Sequence, residues 1–406
     1  MGDFSQNGIV STLHDFGTKT TSEIEKDLLN FSKERKMELI LPCLYSELEG
    51  SALPNIVDQI SKTKYLNHVI IGLDKASESQ AKKAWNFFKK INVPFTILWN
   101  DGPKLKKLDN ELNKKNLAPN QMGKGRNVWY CIGMCIARDT ARSVALHDCD
   151  IKTYDRRMLA KLFYPVVNPL FNFEFCKGYY PRIANNKMNG RVARLLVGPL
   201  LTALEKTIGQ SDYLNFMKSF KYPLAGEFSF RRNVLPELRI SSDWGIEVGI
   251  LSEMQRSFSP NNICQVDLAD AYDHKHQDLS IDDETKGLSK MSIDIIKTFI
   301  KKLATQGNSF SRETFRSLKA TYYRSALDLI DIYRSDAAMN GLKFDSHKEE
   351  EAVELFAVNI MKAGEAFYIN PMDTPFIPTW SRVKSAIPDF LVRLNEAVSE
   401  DNKKFI

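Results

Sequence analysis

Four short apolar runs, each followed closely by a polar or acidic residue, alternate with stretches of helical periodicity over the first 150 positions. They are Glu38-Leu39-Ile40-Leu41-Pro42, His68-Val69-Ile70-Ile71-Gly72-Leu73-Asp74, Pro94-Phe95-Thr96-Ile97-Leu98-Trp99 and Val144-Ala145-Leu146-His147. Strands that alternate with helices imply an α/β fold, with a parallel sheet covered on both faces. Right-handed crossovers bring the carboxyl ends of such strands to one edge, where ligands bind. The residues expected at that edge are Glu47, Asp74, Asn100, Asp148 and Asp150.

Helical patterns over 21–35, 50–61, 78–91 and 123–140 supply the covering layers. The first run is expected to stop at Pro42, which has no N–H for a ladder. The Lys-rich segment 104–115 reads as a solvated helix or loop. Beyond Asp150 the alternation ends. An aromatic strand follows at 173–180, then loop and helix at 189–207 and short strands at 228–231 and 265–272. From about 289 the pattern is helical.

The chain has 406 residues, of which 43% are hydrophobic and 26% charged, and a net charge of +6. That length buries a full core without disulfides. Lys and Asp/Glu are mixed rather than clustered, which argues against nucleic-acid binding and fits a local basic pocket for phosphorylated small molecules. The cysteines, Cys43, Cys131, Cys135, Cys149, Cys176 and Cys264, form no CxxC pair, as expected of a reducing cytoplasm. No run approaches the ~18 apolar residues of a membrane span.

Asp148-Cys149-Asp150 follows the fourth run. Alternate residues of an extended chain face one way, so both carboxylates can serve one site. Hard oxygen ligands suit Mg²⁺ or Mn²⁺, which keeps waters and binds substrate phosphates. A solvated turn after a strand would carry the same three letters; the position after the fourth strand favours the metal. His274 follows a strand-like run and can complete a cation site begun by carboxylates.

Several segments in one order resemble a known family. They are Leu41-Pro42-Cys43-Leu44, Gly123-Lys124-Gly125, Asp148-Cys149-Asp150, Gly190-Arg191-Val192, Gly198-Pro199-Leu200-Leu201, Leu224-Ala225-Gly226-Glu227-Phe228, Trp244-Gly245-Ile246-Glu247-Val248-Gly249, and Gln265-Val266-Asp267-Leu268 leading to His274. Together they resemble the glucosyl-3-phosphoglycerate synthases over roughly 37–280, through order and spacing rather than any single motif.

The resemblance implies a GT-A fold with a mixed central sheet and retaining, cation-dependent transfer of glucose from UDP-glucose to the 2-hydroxyl of 3-phosphoglycerate. It implies Asp150 and His274 as metal ligands with Asp148 beside them. Pro42, Cys43, Leu44, Glu47, Asp74, Lys124, Asp148, Cys149 and Glu227 would bind the donor. Gly190, Arg191, Val192, Ala193 and His276 would bind the acceptor, and Glu247, Asp150 and Lys124 would be catalytic. The expected divisions are an N-terminal helical extension (1–36), the GT-A catalytic domain (37–284) and a helical C-terminal region (285–406). That last region is read as covering the catalytic domain or building a homodimer.

The residue chemistry agrees. Gly190-Arg191 offers a bare backbone N–H and a forked guanidinium to one phosphate. Lys124 opens a helix between glycines, where N–H groups and the dipole favour anions. Glu227 precedes a strand and either orients donor hydroxyls or pairs with an arginine such as Arg231. Glu247 lies in an apolar segment, where a carboxylate is costly unless paired or functional.

Three positions depart from the family pattern: Tyr45-Ser46-Glu47 replaces the Asn-Glu after the first strand, Lys75 replaces a small hydroxyl residue, and Ala193 replaces a threonine. The rival readings are a mannosyl-3-phosphoglycerate synthase using GDP-mannose and a Mg²⁺-dependent nucleotidyltransferase. The latter carries a Gly-rich signature where this chain has Cys43-Leu44-Tyr45-Ser46-Glu47.

Overall fold

A computed structural model of the chain describes residues 6, 8–119, 121–274, 279–280, 283–371 and 376–405. In chain order the elements are β1 (Ser11–Leu13), α1 (Thr21–Phe31), β2 (Met37–Leu44), α2 (Ala52–Ser61), β3 (Leu66–Asp74), α3 (Glu78–Phe88), β4 (Phe95–Trp99), α4 (Pro103–Lys114), α5 (Lys124–Arg138), β5 (Ser143–Leu146) and α6 (Arg156–Val167). There follow β6 (Phe175–Tyr179), β7 (Ile183–Ala184), β8 (Lys187–Met188), α7 (Gly198–Ile208), α8 (Asp212–Lys218), β9 (Phe228–Arg231), β10 (Ile240–Ser241), α9 (Ile246–Ser257) and β11 (Ile263–Asp267). The remainder is α10 (Gly287–Thr305), α11 (Arg312–Met339), α12 (Ser346–Ile369), β12 (Phe376–Ile377), α13 (Trp380–Ala386) and α14 (Phe390–Lys403).

Eight strands form one sheet in the order β1-β11-β6-β9-β5-β2-β3-β4. β9 runs against both of its neighbours, β5 and β6; the other pairs are parallel. The pleat divides the core in two. Ile40 and Ile70 face one cluster, while Leu39, Leu41, Val69 and Ile71 face the other.

Pro42 does not end β2, which continues to Leu44. Pairing of β5 with β2 stops at Ile40↔Leu146, and the Ile40 carbonyl accepts the His147 N–H. Position 42 points the same way as position 40, past the end of β5, where no partner awaits an N–H. The Lys-rich segment is a helix, α4, with proline at its N-terminus and Leu105, Leu108 and Leu112 buried. β1 lies in a stretch that reads as polar, yet it pairs with β11 along its whole length.

The C-terminal helices share the core of the sheet. Trp380 of α13 stacks on Trp129 of α5 at 4.0 Å between centroids and donates Nε1–H to the Trp129 carbonyl at 3.0 Å. A Cβ on Gly133 would lie 2.1 Å from the Trp380 ring, so the bare backbone there makes the stack possible. Trp380→Ala is expected to cost about 3–5 kcal/mol of stability, read as a lowered denaturant midpoint with an unchanged slope. On α14, the Asn402 amide bridges the outer backbone of β4, accepting from Ile97 N at 3.1 Å and donating to Ile97 O at 2.6 Å. Among the described residues no helix is long and apolar enough to cross a membrane.

Candidate active site

The carboxyl ends of the strands open onto a cavity of about 470 Å³. Lys124 enters it from the first turn of α5. The residue before it, Gly123, has φ 149°, a conformation L side chains rarely adopt. The residue after it, Gly125, packs so close to Ser241 that a Cβ would sit 2.1 Å from that carbonyl. Two glycines therefore place the ammonium, as the Gly-Lys-Gly motif implies.

Lys124 Nζ lies 2.8 Å from Asp148 and 3.1 Å from Glu247, which stands in the first turn of α9. Burial opposes the charge on Lys124, but the two carboxylates outweigh it and hold the ammonium well above its ordinary range. Gly226 makes room for this pair, since a Cβ there would lie 2.3 Å from Asp148 Oδ2.

Asp150 points elsewhere. Its Oδ2 is 3.5 Å from His274 Nδ1. Burial would raise its carboxyl, but the hydrogen bond and charge of His274, together with the Lys124 ammonium, hold it below the usual range. His274 lines the cavity with Asp148. The expected three-ligand set is thus split: Asp150 meets His274, while Asp148 is committed to Lys124. Among the described residues no three His, Cys, Asp or Glu side chains close on one point.

Glu227 lies beneath the cavity, fully buried. It does not pair with Arg231, which binds Glu174 at 3.1 Å instead. Its oxygens accept the Tyr180 hydroxyl at 2.5 Å and the Tyr272 hydroxyl at 2.7 Å. Those rings stack at 3.7 Å and 4°. Burial, then repulsion from Asp148, raises the Glu227 carboxyl, and the hydroxyls pull against that rise. Both tyrosines line the cavity, so Glu227 braces its floor. Lys177 is buried nearby, donates to the Ala225 carbonyl, and is pulled down to about 8 by burial.

At the far end the cavity is walled by Gly190, Arg191, Val192 and Ala193. Gly190 has φ 77° and backs onto Arg182. Arg191 donates Nε–H to Glu349 of α12 at 2.8 Å, and Arg194 donates to the other Glu349 oxygen at 2.8 Å. Arg182 was not singled out by the sequence. It lines the same wall with Nε and Nη2 buried and without hydrogen-bond partners. Lys343, Lys348 and Glu349 were also missed. Lys343 lies just before α12, and Lys348 and Glu349 lie in its first turn; only the tertiary fold brings the three to the cavity.

The expected uridine residues do not line this cavity. Pro42, Cys43 and Leu44 end β2, with the Cys43 and Cys149 thiols buried and Leu44 exposed. Glu47 lies in the short 3₁₀ turn Tyr45–Glu49 just beyond. Asp74 ends β3 almost buried; its Oδ1 has no hydrogen-bond partner, and burial raises its carboxyl. His276 lies outside the described residues.

A mostly parallel sheet with one reversed strand, carboxylates just beyond β5, and a lysine and glutamate in the same cleft make this a GT-A fold. No family model matches the chain. It is 42% identical over 402 residues to the glucosyl-3-phosphoglycerate synthase of Persephonella marina, covering 99% of each chain. It is 37% identical over 407 residues to that of Methanococcoides burtonii, again covering 99% of each. The chain belongs to the glucosyl-3-phosphoglycerate synthase family, and is a hexosyltransferase. Its fold is shared with glucosyl-3-phosphoglycerate synthase from Mycobacterium tuberculosis in complex with Mn²⁺, UDP-glucose and phosphoglyceric acid. That likeness has a TM-score of 0.54 at 20% identity and covers 74% of this chain and 89% of the other.

Proposed function

We propose that the chain transfers glucose from UDP-glucose to the 2-hydroxyl of 3-phosphoglycerate with retention, using Mg²⁺ or Mn²⁺. The observation that carries this reading is one cavity with Lys124, Asp148 and Glu247 at one end and Arg182 and Arg191 at the other. The first end suits a diphosphate leaving group; the second suits an anionic acceptor.

The donor set fits a hard cation. Asp150 and His274 stand 3.5 Å apart and would hold the cation through one oxygen and one nitrogen. When bound, the cation neutralises charge on the departing UDP. Lys124 adds a fixed positive charge at the same end, already oriented by two carboxylates, so little reorganisation is needed as charge develops. Arg191 and Arg182 hold the acceptor by its anionic groups, and that orientation is worth up to roughly 7–11 kcal/mol of barrier in favourable cases. Glu247 is tied to Lys124 rather than free to attack. This supports front-face transfer, in which the acceptor hydroxyl passes its proton to the departing phosphate oxygen.

A cytoplasmic homodimer, with a catalytic unit at 37–284 and a helical region at 285–406, belongs to the same reading. Six buried cysteines, all as free thiols, support the reducing compartment.

The test is incubation with UDP-glucose or GDP-mannose, Mg²⁺ and a panel of phosphorylated acceptors, with products identified by mass. A hexosylated 3-phosphoglycerate formed from UDP-glucose is expected. Faster transfer from GDP-mannose, or no product with 3-phosphoglycerate, overturns the reading.

A further inference from the structure

The helical region after residue 340 reaches into the acceptor end of the cavity. Lys343, Phe344, Asp345, Lys348 and Glu349 all line it. The contact is built through backbone as well as side chains. The Lys343 N–H donates to the Asn186 carbonyl at 2.9 Å, and Lys187 pairs with Lys343 in a parallel bridge. The β7–β8 hairpin, which carries the chain into Gly190-Arg191, is thus stitched to the segment that leads into α12.

Charge is unbalanced here. Glu349, 5% exposed, serves Arg191 and Arg194 together. Asp345 caps α12 and lies 3.6 Å from Lys348. Arg182, Lys187 and Lys343 pair with no carboxylate among the described residues, and two nitrogens of Arg182 are buried without a partner. Buried donors left unpaired are costly, so the two Arg182 nitrogens, with two exposed and unneutralised ammonium groups on the same cavity, mark where an anion belongs.

Resting on the proposed function, we propose that Lys187 and Lys343, with Arg182 behind them, form the phosphate-binding end of the acceptor subsite. Glu349 is a positioning residue. A single carboxylate between two arginines fixes Arg191 through its Nε while Arg191 still lines the cavity. The acceptor class follows: a small molecule with a phosphate at this end and a second polar group toward Glu247. The C-terminal helices then take part in acceptor choice as well as in packing.

The test is calorimetric titration, in the presence of UDP, with 3-phosphoglycerate and with unphosphorylated D-glycerate. The wild-type chain is expected to prefer the phosphorylated ligand at least tenfold. The Lys187→Ala/Lys343→Ala double variant alters two exposed side chains and is expected to lose most of that preference without weakening D-glycerate or UDP binding. Glu349→Gln is expected to raise the acceptor KM roughly tenfold with the donor KM unchanged. An unchanged preference in the lysine variant overturns the phosphate site. Equal losses for both substrates in Glu349→Gln overturn its positioning role, because a purely structural role would not separate them. If the wild-type chain binds no 3-phosphoglycerate, the functional reading has failed. Titration with inorganic phosphate then decides the lysine pair separately: weaker binding to the double variant supports it, and equal binding removes it.

Discussion

Replacement of Asp150 by alanine is expected to lower kcat by roughly 10²–10³-fold, the scale of losing one preorganised charge-stabilising group. Asp150 and His274 are the facing pair at the rim of the cleft. Removing the carboxylate leaves an imidazole alone, a poor site for a hard cation. The defect should appear first as lost Mn²⁺ binding, measured by calorimetry with UDP present, and higher metal concentrations should restore part of the rate. The fold should tolerate the change, because Asp150 lies in a loop beyond β5 and not in either core cluster. A variant with wild-type metal affinity and wild-type kcat would remove Asp150 from the site.

Lys124→Met is expected to cost more, roughly 10³-fold or beyond in kcat. It takes away the ammonium and leaves Asp148 and Glu247 facing each other across the cavity. Both the lost attraction and the added repulsion fall on the diphosphate. Lys124→Arg should not rescue the activity. The ammonium occupies a gap that exists because position 226 has no side chain; a Cβ there would lie only 3.1 Å from Nζ. A planar guanidinium is too wide for that gap. The folded-state pKa of Lys124 is raised, so its contribution to stability is complete below the unfolded value of about 10.5 and fades only as pH rises through the folded one. A pH–rate profile should accordingly show no alkaline limb from this group across the neutral range. Near wild-type turnover in Lys124→Met would contradict the electrostatic role.

Much of the fold was legible because period-2 and period-3.6 patterns are local. The strands at β2, β3, β4 and β5 read directly from apolar runs bounded by polar residues. Pro42 misled, since whether a missing N–H matters depends on how far the neighbouring strand extends, which is a tertiary fact. β1 was hidden because a three-residue edge strand carries too little periodicity to register. α4 was half-read: its lysines are solvated, but three leucines at helical spacing dock it.

Around the cavity, the lining residues legible in advance were those set by glycine-flanked turns and strand ends, such as Lys124, Asp148 and Gly190. The hydrogen-bond partners of Glu227 and Glu349 were not legible. Nothing near Glu227 in sequence announces that two tyrosines 45 and 47 positions away will claim its oxygens. Glu349 sits in a run of four charged residues indistinguishable from a solvent-facing helix until α12 is laid against Arg191 and Arg194.

The amide of Asn402 that grips the β4 margin comes 305 positions after the strand it seals. During vectorial synthesis the nucleotide-binding half can pair its strands long before that residue leaves the ribosome. Throughout the interval one flank of the sheet stays open to foreign strands. Late sealing makes premature release or a stalled ribosome an aggregation hazard, and gives holdase chaperones a defined stretch to protect.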